Sequence, residues 1–310
     1  MSGPAQAPST EFDLLGDSWE MAMEADGYAA GTRHGYRKAL ASFAAWLASE
    51  SPDAGPTDAT RAHSRGWLVA LRRQRAQNTA RTYYAGVRHF YRWLVVEGEI
   101  EADPCEGIRS PALAEPETPV ISADDLCRLL DGCAGREFHA RRDRAIILLF
   151  VDGGLRLAEL AGLGVEDVDV RDRMVYVVGK GSGRRGPRKR AVPLAIKAAQ
   201  ALDRYLRERR RHPWATHEAL WLGDRGRGPV SAAGIKAMLA RRGAAIGLAL
   251  HPHALRHTWA HEFRNAGGSE GDLMLIGGWT SRAMLDRYGK SAAAERARDA
   301  ARRYSLGDRL

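Results

Sequence analysis

Four short segments between residues 154 and 288 carry the side chains best suited to chemistry. They are GLRLAEL (154–160), VVGKGSGRRGPRKRAVPL (177–194), HPHALRHTWA (251–260) and LIGGWTSRAMLDRY (275–288). A planar guanidinium can bind the oxygens of a phosphate through two parallel hydrogen bonds, a lysine can donate a proton to a leaving oxygen, and a tyrosine hydroxyl can act as a nucleophile. Chemistry on a phosphate group would use all of these residue types.

Each segment also has an ordinary structural interpretation when it is taken alone. Arg156 and Glu159 are three residues apart and could form a simple ion pair on a helix surface. Trp279 could be a packing residue, and an isolated tyrosine such as Tyr288 is usually a core or surface aromatic. Taken one at a time, none of these segments specifies a site.

Together the four segments resemble the tyrosine recombinase (phage integrase) family. They are similar to its G-L-R-x-x-E-L motif, its strand–GKG–turn–R-x-VPL hairpin, its H-x-L-R-H helix start and its L-G-[HW]-x8-Y motif. The resemblance covers about residues 121–304, whereas the preceding part matches only in its helical character and its expected DNA-clamping role. It implies a site-specific DNA recombinase, acting in integration, excision or resolution, that cleaves and rejoins DNA through a 3′-phosphotyrosyl intermediate.

The resemblance also implies a role for each site residue. Tyr288 would attack the phosphodiester, and Arg156 and Arg256 would hold its oxygens. Forming the tyrosine phenolate at pH 7 would cost about 4 kcal/mol, and these arginines and His253 would offset much of that cost. The implied catalytic set is Arg156, Lys180, His253, Arg256, Trp279 and Tyr288, with Glu159 and His257 in support.

The long basic hairpin leaves two candidates for the general acid that protonates the leaving oxygen. Gly179-Lys180-Gly181 reproduces the family's GKG context, which favours Lys180, but Lys189 remains an alternative. Arginine cannot serve as this acid because its pKa lies above 12. The other basic side chains of the hairpin are therefore expected to contact phosphates: Arg184, Arg185, Arg188, Lys189 and Arg190.

Trp279 stands where much of the family has histidine. An indole only donates a hydrogen bond, so His253 and Lys180 would carry all proton transfer. The cluster of His251, His253, His257 and His261 could alternatively bind a metal. Arg256 would repel a divalent cation there and no HExxH motif is present, so neither a metal nor another cofactor is expected.

Composition bounds the class of protein. The 310 residues include 47 Lys and Arg against 38 Asp and Glu, a net charge of +9 that favours a polyanionic partner such as double-stranded DNA. The longest apolar run, Ala145–Val151, is far shorter than the roughly 20 residues that span a bilayer. Three cysteines without a CxxC motif, no secretory signal and no nucleotide-binding loop predict a cytoplasmic protein that needs no nucleotide.

The site must be positioned by two domains. We expect a disordered tail over 1–10, a helical core-binding domain over 11–97, a proline-rich linker over 98–120 and a catalytic domain over 121–310. Apolar spacing predicts one helix face formed by Tyr36, Leu40, Phe43 and Leu47, and another formed by Tyr83, Val87, Phe90 and Leu94. Arg81, Arg88 and Arg92 are predicted to lie on the opposite face of the latter helix and to follow DNA phosphates.

The catalytic domain is predicted to open with Ser122 as a helix cap. A helix then ends at Gly153-Gly154, two strands follow within 168–178 and 191–193, and helices return from about Ser231. The expected fold is mainly α with a small β-sheet: a SAM-like helical core-binding domain plus a mixed α/β catalytic domain.

The last helix, Ser291–Tyr304, is expected to dock on a neighbouring subunit of a tetramer that holds two DNA sites. Two other functions remain open. One is a nicking–closing enzyme like the type IB topoisomerases, and the other is a catalytically silent DNA-binding regulator of the same fold.

Overall fold

The computed structural model describes residues 11–112, 119–179, 189–285 and 302, without the side chains of 283 and 284. The chain divides into two compact units, Met1–Pro116 and Glu117–Leu310. The predicted helix Ser291–Tyr304, apart from residue 302, and residues 180–188 of the arginine-rich hairpin lie outside the described residues. Within the described part of the chain, no helix is long and apolar enough to cross a membrane.

The described part of the first unit is a helical bundle. Its helices are α1 (Glu11–Ala25), α2 (Ala30–Glu50), α3 (Arg61–Gln74) and α4 (Gln77–Glu97). The predicted apolar faces meet in its core, where Leu40, Phe43 and Leu47 of α2 and Val87, Phe90 and Leu94 of α4 are buried. Tyr36 and Tyr83, at the ends of these faces, are only partly buried.

The three arginines of α4 share one side of the helix but differ in exposure. Arg81 and Arg92 are exposed, and Arg81 Nη1 donates to the Pro111 carbonyl over 3.0 Å. Arg88 is half-buried and its Nε is enclosed. Helical spacing keeps Arg88 on the side of α4 opposite its buried face, but its partial burial leaves Arg81 and Arg92 as the exposed members of the predicted stripe.

Part of the predicted linker packs against the first unit. Cys105 is fully buried in its core, where Ile100 and Ile108 also pack. The Tyr84 hydroxyl lies 3.3 Å from the Cys105 carbonyl and 3.1 Å from that of Ile108. Prolines and absent periodicity correctly indicated no regular secondary structure over the described residues 98–112 and 119–120, but an irregular segment can still fill a core when its backbone is hydrogen bonded.

The second unit is mainly helical with a small sheet, as predicted. Its helices are α5 (Ala123–Asp131), α6 (Phe138–Gly153), α7 (Leu157–Ala161), α8 (Ile196–Arg209), α9 (Ala232–Ala244), α10 (Pro252–Asn265), α11 (Glu270–Gly277) and α12 (Arg282–Leu285). The Ser122 side chain accepts from the Asp125 N–H over 3.1 Å, so the predicted cap is confirmed.

Helix α8 is absent from the sequence-based prediction, which placed the return of helices near Ser231. Its buried stripe packs against α6 and consists largely of alanine: Ala198, Ala199, Ala201, Leu202 and Tyr205. Alanine contributes little hydrophobic periodicity, so the apolar face of this helix is weak in the sequence.

The sheet consists of three antiparallel strands in the order β1-β2-β3: Val168–Asp169, Met174–Val178 and Lys189–Pro193. Val175 pairs with Val192 and Val177 with Arg190, which puts Arg190 on the inner face beside these buried valines. Lys189 pairs with the exposed Val178 on the outer face. Adjacent basic residues of the hairpin thus point to opposite sides, as strand geometry requires.

Candidate active site

The turn after α6 delivers the first site residue. Gly154 ends α6 with a φ of 54°, in the left-handed region, and a side chain there would collide with the Trp259 ring. Glycine meets both requirements, because it tolerates positive φ and allows close approach. The chain then turns sharply, and Arg156 becomes the N-cap residue of α7.

Glu159 is the acidic centre of the site. Its carboxylate accepts from the Arg156 backbone N–H and Nη1, both at 2.8 Å, and from Arg190 Nη1 and Nη2 at 2.9 and 2.8 Å. Burial alone would raise the pKa of Glu159, but the hydrogen bonds and charges of Arg190 and Arg156 lower it to about 2. The carboxylate is therefore ionised at every pH at which the protein would work.

The C-terminal end of α11 binds three guanidiniums. The Ile276 carbonyl accepts from Arg190 Nε at 2.8 Å, the Gly277 carbonyl from Arg256 Nη2 at 2.7 Å, and the Gly278 carbonyl from Arg156 Nη2 at 2.7 Å. These carbonyls have no partners within the helix and form the negative end of its dipole, which favours cations.

Gly278 leaves room for these guanidiniums to approach the end of α11. It ends α11 with a φ of 66°, and a Cβ there would lie 2.9 Å from Arg190 Cζ and 3.2 Å from Arg156 Nη1. A side chain at Gly278 would therefore crowd two of the three guanidiniums and would have to adopt a positive φ, so the cluster favours glycine at this position.

Arg256 is held from both sides. Its Nη1 donates to the Gly154 carbonyl, and its guanidinium lies 4.1 Å from the centre of the Trp279 ring. Trp279 in turn stacks on Trp259 of α10, with ring centroids 5.9 Å apart at an angle of 18°. Trp279 is 5% exposed, so the structure places its indole as a platform beneath Arg256.

His253 lies at the start of α10. Pro252 occupies the first turn, and His251 caps the helix by accepting the Ala254 N–H at Nδ1 over 3.1 Å. Burial, and then the charges of His251 and Arg256, lower the pKa of His253 below its ordinary value of 6.5. His253 is therefore neutral at pH 7, while His257 is buried one turn further along α10.

The structure thus brings Arg156, Glu159, Arg256 and Trp279 together, and His253 lies near enough for the charge of Arg256 to lower its pKa. Lys189 stands apart on the outer face of the sheet, 60% exposed, with its ammonium 5.4 Å from the Tyr176 ring and 3.8 Å from Asp167 Oδ1. The remaining predicted residues lie outside the described part of the chain: Lys180, Arg184, Arg185, Arg188 and Tyr288.

The sequence did not predict that the Arg190 side chain lies inside the site. It was predicted to contact DNA phosphates, yet its side chain is 12% exposed and points inward to Glu159. The alternation of β3 contains the signal that could have found it, because Arg190 is two residues before the buried Val192 and so shares its face. The Trp279 platform had no comparable signal, since it depends on stacking with Trp259 from the separate helix α10.

Two protein-family models and several known recombinases match the sequence of this chain. Residues 119–295 match the model of the phage integrase family, and residues 17–98 match that of the phage integrase N-terminal SAM-like domain. The chain is 36% identical over 232 residues to tyrosine recombinase XerC of Azotobacter vinelandii, covering 74% of this chain and 75% of that protein. It is 30% identical over 259 residues to tyrosine recombinase XerC of Xanthomonas axonopodis pv. citri, covering 79% and 82%.

Two solved structures share the fold at low sequence identity. The Tn1549 transposon integrase in complex with circular intermediate DNA matches with a TM-score of 0.72 at 19% identity, over 94% of this chain and 99% of that one. A lambda integrase dimer bound to a COC′ core site matches with a TM-score of 0.71 at 19% identity, over 90% and 95%. These matches confirm the predicted fold class, a SAM-like helical domain with an integrase catalytic domain. The chain belongs to the phage integrase family of tyrosine-type site-specific recombinases.

Proposed function

We propose that this protein cleaves and rejoins double-stranded DNA at specific sites with Tyr288 as its nucleophile. The observation that carries the proposal is the group of guanidiniums at the end of α11, where Arg156 and Arg256 bind adjacent carbonyls. Two fixed positive charges at one point suit a phosphodiester, whose non-bridging oxygens gain charge during attack.

The proposed reaction forms one bond and breaks one. The Tyr288 oxygen attacks the scissile phosphorus, the bond to the 5′-oxygen breaks, and a 3′-phosphotyrosyl link and a free 5′-hydroxyl result. Attack by the 5′-hydroxyl of a second DNA strand reverses the step and joins the strands. The phosphoester energy stays in the covalent link, so no nucleotide is consumed.

The proton transfers fall to two residues in this proposal. Neutral His253 can accept a proton or a hydrogen bond at pH 7, which helps the Tyr288 hydroxyl to reach its nucleophilic form. Lys180 protonates the leaving 5′-oxygen. Arg156, with 35% of its side chain exposed, meets the phosphate from the open side, whereas Arg256 is buried on the Trp279 platform.

DNA contacts outside the reacting phosphate are proposed for both units. The exposed Arg81 and Arg92 of α4 suit contact with the DNA backbone. In the hairpin we propose phosphate contacts for Arg184, Arg185, Arg188 and Lys189, but not for Arg190, whose donors bind Glu159 and Ile276.

We further propose that four copies act together on two DNA sites in the cytoplasm, with Ser291–Tyr304 of each copy docking on its neighbour. A solved lambda integrase tetramer bound to a Holliday junction, which matches this chain with a TM-score of 0.68, supports assembly of this kind. Three cysteines without a disulfide are consistent with a reducing compartment.

Covalent trapping tests the function. The purified protein is incubated with duplexes from the DNA that flanks its own gene, chosen for inverted repeats and nicked beside each candidate phosphate. We expect a protein–DNA adduct that survives detergent, since the short strand released beyond the nick diffuses away and prevents religation. Sequence-specific binding without an adduct would instead favour a silent regulator. Relaxation of supercoiled DNA without strand exchange between two labelled duplexes would favour a topoisomerase-like enzyme.

Substitutions at Trp279 distinguish a platform from a hydrogen-bond donor. We expect Trp279→Phe to retain most of the cleavage rate, because phenylalanine keeps an aromatic face beneath Arg256. Trp279→Ala should slow cleavage about tenfold, in the range that a desolvated cation–π contact contributes. Single-turnover trapping measures the rates, and thermal unfolding shows that both variants are folded. Equal losses in the two variants would point to the indole N–H instead.

A further inference from the structure

All three nitrogen atoms of the Arg190 guanidinium donate hydrogen bonds. Its Nη1 and Nη2 contact the two oxygens of Glu159, and its Nε contacts the Ile276 carbonyl at 2.8 Å. It lies on β3, Glu159 lies in α7 and Ile276 lies in α11. A single side chain therefore joins the sheet, the helix that follows Arg156, and the helix end that carries Trp279.

The charges in this cluster give Arg190 a second effect. Glu159 is 4% exposed at its side chain and also contacts Arg156 Nη1 at 2.8 Å. If Arg156 were its only cationic partner, the pair would have no net charge. With Arg190 present, the three side chains carry a net charge of +1, and both oxygens of Glu159 bind Arg190.

We propose that Arg190 is a positioning residue that neutralises Glu159, so that Arg156 keeps its positive charge for the scissile phosphate. The same contacts fix the end of α11, and with it Trp279, relative to the sheet. The inference rests on the proposed function, since it concerns how Arg156 meets the phosphate. It assigns Arg190 a role different from that of Lys189, its outward-facing neighbour in the same strand.

The test is a double-mutant cycle on covalent trapping at saturating DNA. Arg190→Gln should slow attachment at least 100-fold and change DNA affinity less than threefold, because the donors of Arg190 are already bound to Glu159 and the Ile276 carbonyl. Glu159→Gln should slow it less than tenfold. In the Glu159→Gln background no carboxylate needs neutralising, so adding Arg190→Gln should cost less than a further tenfold. Residues in contact are non-additive whatever their role, so the charge of the substrate supplies the readout that separates neutralisation from support of the fold.

A substrate with a neutral methylphosphonate at the scissile position gives a second readout. Such a group carries no negative charge and depends less on the charge of Arg156. The rate difference between wild type and Arg190→Gln should therefore shrink at least tenfold on this substrate. Arg190→Lys, which keeps the charge, should lose less than tenfold on the normal phosphate.

Arg242 offers a matched control. It forms a similar ion pair, with Nε and Nη2 on Asp143 Oδ2 at 3.0 and 2.8 Å, but contacts the Gly132 carbonyl instead of α11. Arg242→Gln with Asp143→Asn should lower the unfolding temperature and leave the trapping rate of the folded protein and its methylphosphonate response unchanged.

The proposal is overturned if folded Arg190→Gln traps DNA at the wild-type rate, or if the double variant is no faster than Arg190→Gln. If Arg190→Gln does not fold, the trapping rates of Arg190→Lys and of the double variant test the proposal instead. A 100-fold loss in folded Arg190→Lys, or in the double variant relative to Glu159→Gln, overturns it too. Absence of any adduct with the wild-type protein is a different result, because it contradicts the proposed function itself.

Discussion

Tyr288→Phe is expected to abolish covalent attachment to DNA. The substitution removes only the hydroxyl oxygen, which is the proposed nucleophile, and retains the ring. Adduct formation on the nicked substrate should fall by at least about 10⁴-fold, below detection, since no other group can form the phosphotyrosyl link. DNA affinity should change less than about twofold, because a single neutral hydroxyl contributes little beside many charged phosphate contacts.

The matched control for this variant is Tyr304→Phe, since Tyr304 is the next tyrosine along the chain. Tyr304→Phe removes the same hydroxyl oxygen from a different tyrosine, so it should still form the adduct. Peptide mapping of the wild-type adduct should find the DNA on the peptide that contains Tyr288. An adduct that persists in Tyr288→Phe, or maps elsewhere, would contradict the assignment.

Lys180→Ala is expected to have the second-largest effect, a loss of about 10²- to 10⁴-fold in cleavage of normal DNA. This is the usual contribution of a positioned general acid, without which the 5′-oxygen must leave as an alkoxide. A substrate with sulfur at the 5′-bridging position needs no proton for departure. On it, Lys180→Ala should recover to within about tenfold of wild type.

Lys189→Ala is the control in the same hairpin. Lys189 lies on the outer face of the sheet near Tyr176 and Asp167, opposite the face from which Arg190 reaches Glu159. Its removal should weaken DNA binding slightly and leave cleavage of both substrates nearly unchanged. Rescue of Lys189→Ala by sulfur, or failure of sulfur to rescue Lys180→Ala, would reassign the general acid.

Local features of the fold could be predicted because their causes lie within a few residues. The Ser122 cap needs only the Asp125 N–H three residues later, and the end of α6 follows from Gly154 and its positive φ. The hairpin strands follow from β-branched residues on either side of a turn. Helix α8 escaped prediction because its buried stripe is largely alanine.

Sequence patterns also determined which residue types meet in the site. The spacing from Arg156 to Glu159 and from Trp279 to Tyr288 indicated the family, and both family models match the chain. The roles of Tyr288 and Lys180 remain predictions that the experiments above decide.

Only the tertiary structure determined which hydrogen-bond partners the arginine side chains of the site have. Arg156 reaches the Gly278 carbonyl across 122 residues, and Arg190 reaches Ile276 across 86, so neither contact leaves a local pattern. The same holds for Trp279, whose role as a platform depends on Trp259 from a separate helix. A motif specifies which side chains are present, but the hydrogen-bond partners of a buried guanidinium depend on which carbonyls the folded chain brings within about 3 Å of it.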